Sequence, residues 1–114
     1  MSLKVVEKMK LTGNQIMYLL TIKKLAGNRH VVKSVDVARD LNYSRASVHK
    51  MLKSLKDLNY IQQEHYGSIR LTSSGSRAAT SYLKKYQVIE DVLKDRFDLP
   101  EGYQLGICNL IELL

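Results

Sequence analysis

Residues 34–55 read SVDVARDLNYSRASVHKMLKSL, and this stretch decides the architecture. Ser34 is a helix cap, followed by a short helix over 35–41 whose buried face is Val37, Ala38 and Leu41. Asn42-Tyr43 makes a tight turn, and Ser44 caps a second helix reaching about residue 59. Val48, Met51, Leu52, Leu55 and Leu58 recur along it with the 3.6-residue period of an apolar helix face. Its other face carries Arg45, Ser47, His49, Lys50 and Lys53. Two short helices meeting at a tight turn, the second with a polar and basic outer face, form a helix-turn-helix.

Upstream, Thr12 and Gln15 have the spacing of a capping box, with Leu11 and Ile16 as its hydrophobic staple. That box opens a helix running to about residue 26, with Ile16, Leu19, Leu20, Ile22 and Leu25 apolar and Gly27-Asn28 at its end. Val31 and Val32 form a short extended piece. Downstream, the period shortens to two. Residues 60–65 read as a strand, Tyr66-Gly67-Ser68 as a turn and 69–72 as the returning strand. A long helix over about 76–96 follows, its stripe including Ala79, Leu83, Val88, Ile89 and Val92. Leu99-Pro100-Glu101-Gly102 breaks it before a closing helix over 103–114. The expected fold is mainly α with a small β-hairpin wing: a winged helix-turn-helix over 1–74, then dimerisation helices over 75–114.

With 114 residues, 45% hydrophobic and 25% charged, the chain suits one soluble domain. No apolar run is long enough for a membrane span, and the start lacks a secretory signal. The single cysteine, Cys108, cannot form an internal disulfide, which fits a cytoplasmic setting. The net charge of +7 is lopsided: residues 1–60 hold twelve Lys/Arg against four Asp/Glu, and 61–114 hold six against seven. A basic half attracts a polyanion, of which nucleic acid is the usual one.

A recognition helix enters the major groove with its N-terminal end near the bases, so that end needs small polar or basic residues. Ser44, Arg45, Ser47, His49, Lys50 and Lys53 meet that need, with Lys50 the best placed for a base edge. Ser44, Ser47 and the helix N-terminus suit a phosphate. Tyr66, Ser68 and Arg70 at the wing suit the backbone or the minor groove. Each residue also has a plainer reading as solvated surface; the order of elements and the charge split together favour DNA. An enzyme is excluded as the leading reading, because Cys108 has no histidine near it in sequence and no glycine-rich phosphate loop exists.

The runs 16–22 (IMYLLTI), 34–38 (SVDVA), 44–52 (SRASVHKML) and 65–75 (HYGSIRLTSSG) resemble the iron- and manganese-dependent repressors of the diphtheria toxin repressor type (DtxR/MntR). The resemblance covers about residues 12–114. It implies a DNA-binding module followed by helices that build a homodimer. It also implies an Mn²⁺ or Fe²⁺ ion between the first helix and the dimerisation helices, setting the spacing of the two recognition helices. Met17 and Glu90 fall on ligand positions of that family, and Glu112 matches a glutamate of the closing helix. The chain departs elsewhere: Tyr86 and Leu113 stand where histidines are expected, Asn109 fills a Cys/Glu position, and Cys108 lies one residue off. Either metal control is lost, or Cys108 and Glu112 complete an altered site with Met17 and Glu90.

The expected function is that of a sequence-specific transcriptional regulator, a repressor acting as a homodimer on a palindromic double-stranded operator. One alternative is a MarR-like regulator answering to a small molecule. Another is a winged helix used for protein interaction. The apolar end of the closing helix reads as a truncation or as a minimal family member.

Overall fold

The computed structural model describes residues 10–28, 31–64 and 67–114. The helices are α1 (Gly13–Asn28), α2 (Ser34–Leu41), α3 (Arg45–Asp57), α4 (Ser73–Arg96) and α5 (Tyr103–Leu113). The strands are β1 (Val32–Lys33), β2 (Ile61–Gln63) and β3 (Ser68–Leu71). They form an antiparallel sheet in the order β1-β3-β2, with Val32 opposite Ile69 and Ile61 opposite Leu71. Val32 of the expected extended piece, together with Lys33 rather than Val31, thus contributes a third strand.

The capping box forms as expected. The Thr12 amide donates to Gln15 Oε1 at 2.9 Å, and the Gln15 amide donates to Thr12 Oγ1 at 3.1 Å. Gly27 and Asn28 make the last turn of α1 rather than ending the helix before it. Helix α2 opens at Ser34 itself, with Lys33 at the cap position and its amide donating to Asp36 Oδ2 at 3.0 Å. Asn42 closes α2 in the left-handed region (φ 57°), a conformation that asparagine tolerates. Asn59, at φ 62°, does the same after α3, which stops at Asp57.

Helix α4 begins three residues earlier than its pattern suggests. Thr72 caps it, its Oγ1 accepting from the Gly75 amide at 3.0 Å and donating to the Asn59 carbonyl at 2.6 Å. Gly75 lies inside the helix rather than before it. A Cβ there would run into the carbonyl oxygen of Tyr60, so glycine permits the start of α4 to rest on the base of the wing.

Two buried clusters divide the interior. Tyr18, Ile22, Val32, Val37, Val48, Leu52, Leu55, Ile61 and Ile69 knit α1, α2, α3 and the sheet together. Leu11, Ile16, Leu19, Ala79, Ile107, Cys108 and Ile111 pack the other side of α1 against α4 and α5. Helix α1 is therefore apolar on two faces and serves as a shared wall. Val88 and Val92, expected on the apolar stripe of α4, are instead 64% and 52% exposed.

Candidate nucleic-acid interface

Helix α3 is held by one face and offered by the other. Val48, Leu52 and Leu55 are buried, whereas Arg45, Ser47, His49, Lys50 and Lys53 are exposed. Ser44 fixes the N-terminus: its Oγ accepts from the Ser47 amide at 3.2 Å and donates to Ser47 Oγ at 2.9 Å. Gln15 Nε2 donates to Ser54 Oγ at 2.8 Å, tying α3 to α1. Among the described residues, no carboxylate lies within ion-pair distance of Arg45, Lys50 or Lys53. Their charge is therefore available to an external anion.

The wing is partly engaged with itself. Gly67 turns at φ 76°, and the Glu64 amide donates to the Ser68 carbonyl at 2.7 Å. Arg70 Nη1 donates to Glu64 Oε1 at 2.9 Å across the hairpin, so its guanidinium carries a neighbouring negative charge. Ser68 is half-buried in β3. Tyr66 lies outside the described residues.

The residues at the family's metal positions are occupied otherwise. Glu90 Oε2 accepts from Tyr103 Oη at 2.6 Å and from Tyr86 Oη at 3.0 Å, while Lys94 Nζ lies 3.8 Å from Glu90 Oε1. Burial first, and the bond to Glu90 second, hold the Tyr86 hydroxyl far above its usual range, so it stays a donor. Glu112 Oε1 accepts from the Gly13 amide at 2.5 Å, at the start of α1. Cys108 is buried, and burial pushes its thiol up to about 11. Met17 is half-buried and packs against the cluster that contains Cys108.

Glu90 is bound to Tyr103, the first residue of α5, and Glu112 stands nine residues further along the same helix. At ~1.5 Å per residue those two anchor points lie about 13 Å apart along the axis. Carboxylates sharing one transition metal each sit about 2.0–2.2 Å from it. Among the described residues, no three His, Cys, Asp or Glu side chains converge. In this arrangement Glu90, Cys108 and Glu112 form no such group. The tyrosine–glutamate–lysine group was not anticipated from sequence; the signal was Tyr86 four residues before Glu90, the spacing of one helix face.

Comparison with known proteins agrees with this geometry. Residues 10–69 match the family described as iron dependent repressor, N-terminal DNA binding domain. An HTH-type transcriptional regulator of Methanocaldococcus jannaschii is 32% identical over 74 residues, covering 65% of this chain and 59% of that protein. The transcriptional regulator MntR of Salmonella typhimurium is 34% identical over 61 residues, covering 54% of this chain and 39% of that protein. The chain thus spans less than two thirds of the length of these relatives, 59% of one and 39% of the other. The relatives are transcriptional regulators rather than enzymes. The crystal structure of IdeR from T. acidophilum superposes with a TM-score of 0.67 at 29% identity, covering 84% of this chain and 45% of that one. MepR of S. aureus, crystallised with DNA, shares the fold at a TM-score of 0.67 and 20% identity, over 96% of this chain and 81% of that one. Among the described residues, no helix is long and apolar enough to cross a membrane. Through a match that spans the helix-turn-helix and most of the wing, the chain belongs to the iron-dependent repressor family.

Proposed function

We propose that the chain is a sequence-specific transcriptional regulator, a repressor, that binds a palindromic operator as a homodimer. The carrying observation is the recognition helix: an exposed face of Arg45, Ser47, His49, Lys50 and Lys53 with its cations free of carboxylates among the described residues. In this reading residues 1–74 bind DNA, and 75–114 bring two copies together. The exposed Val88, Val92, Phe97 and Leu110 on and beside α4 and α5 support the second role. An apolar surface of this kind is suited to an isologous contact with a second copy.

The reading for metal is that control by Mn²⁺ or Fe²⁺ has been replaced. Tyr86 and Tyr103 hold Glu90, and Glu112 caps α1, so the links from α5 to α4 and to α1 need no ion.

Selection of binding duplexes from a random library tests the whole reading. The expected outcome is a palindrome whose half-sites lie about one helical turn apart, enriched equally in EDTA and in Mn²⁺, with two chains per duplex. Lys50→Ala is expected to relax preference at one position of each half-site and to cost about 1–3 kcal/mol. No enriched sequence, or enrichment only with metal, contradicts it.

A further inference from the structure

Between the start of α1 and the recognition helix α3 opens a cleft of about 710 Å³. That lies within the size of small-molecule sites, roughly 300–1,000 Å³. Which hydrogen bonds are already made around it defines what it can hold. Thr12 and Gln15 bind one another, Gln15 also donates to Ser54, and Ser44 is engaged with Ser47. Tyr18 is different. Its side chain is 1% exposed, set against Tyr43 with ring centroids 5.9 Å apart, and its hydroxyl has no hydrogen-bond partner among the described residues. Among the described residues no fully buried side-chain oxygen or nitrogen lacks a partner. The Tyr18 hydroxyl therefore keeps access to open space, and the cleft that Tyr18 lines is where it finds it. A tyrosine buried to this degree usually has its O–H bonded.

Asn14, Ser47 and Lys50 line the cleft together with Tyr18, and their side chains carry an amide, a hydroxyl and an ammonium group. The Tyr43 ring and the Met51 thioether supply apolar wall. Among the described residues that line it, none is acidic. Hydrogen-bond donors, one cation and an apolar wall complement an oxyanion carried on a flat apolar body.

We propose that this cleft binds a small organic anion, a carboxylate or phosphate monoester on an aromatic body, and that its occupancy displaces DNA. Displacement follows because Ser47 and Lys50 belong to both the cleft and the DNA-facing side of α3. That consequence rests on the DNA-binding reading; binding of the anion does not. A backbone phosphate of DNA offers the same chemistry, and the experiment separates the two sources.

Isothermal titration of the protein alone with phenyl phosphate, benzoate and inorganic phosphate is set beside anisotropy with duplex DNA. Phenyl phosphate or benzoate is expected to bind one site per chain, more tightly than inorganic phosphate, and to weaken DNA binding at saturation. Tyr18→Phe keeps the ring and is expected to bind the organic anion at least about tenfold more weakly, with DNA affinity and melting temperature unchanged. Lys50→Gln, at an exposed position, is expected to weaken the anion as well and serves if Tyr18→Phe folds poorly. Failure of both organic anions to bind overturns the proposal, as does equal affinity in both variants and wild type. Loss of DNA affinity in Tyr18→Phe also overturns it, assigning the cleft to the DNA backbone. Intact anion binding with no DNA binding by the wild type counts against the DNA reading alone.

Discussion

Single residues here do work that their type alone does not announce. Gly75 sits in the first turn of α4, where its lack of a Cβ lets the helix lie on the Tyr60 carbonyl. Gly75→Ala forces that contact apart and is expected to cost about 1–3 kcal/mol, the range for overpacking. A lower urea midpoint with unchanged slope reads the loss, and an unchanged midpoint contradicts the close approach. Gly27, which has open space around it, serves as the control position. Ser44 was legible in sequence because capping is local: its hydroxyl serves amides within its own turn. Gly75 falls inside α4, although the pattern starts that helix at about 76, because its reason lies across the chain at Tyr60. Tyr18 was quoted for family likeness but not for the core, although it is among the largest fully buried side chains. No periodic rule distinguishes a tyrosine whose hydroxyl finds a cleft from one that faces solvent.

At the scale of elements, α2, α3 and the wing followed from period and caps, and their order fixed the fold. Boundaries moved by one to three residues, as at Lys33, where Asp36 takes the amide, and at Thr72, whose partner Asn59 lies thirteen residues back. The link between α4 and α5 was the illegible part. Tyr86 was read as a missing histidine, but it and Tyr103 converge on Glu90 from two helices, and Lys94 adds its charge. Tyr103→Phe removes a 2.6 Å bond to a carboxylate while keeping the ring. Hydrogen bonds to charged groups contribute about 1.5–3 kcal/mol, so a loss of about 1–2 kcal/mol is expected. Thermal unfolding in EDTA and in Mn²⁺ checks it. The same loss in both conditions is predicted, and rescue by Mn²⁺ contradicts a clasp that works without metal.

For the whole molecule, α1 is the wall between two cores, one shaping the DNA-facing module and the other seating α4 and α5. Charge is distributed along the same division, with the excess positive charge in residues 1–60 and a near-neutral second half. Net attraction to a polyanion thereby falls on the half that carries α3. The apolar surface around Val88 and Val92 lies on α4, within that second half. The most direct test of the central claim is fluorescence anisotropy with duplex DNA from upstream of the protein's own gene, across a salt series. The account predicts tight binding whose affinity falls as a power of salt concentration, with a slope of about −0.9 per phosphate neutralised and a shallower slope in Lys53→Ala. Binding that ignores salt, or none at about 50 mM salt where such contacts are strong, would contradict it.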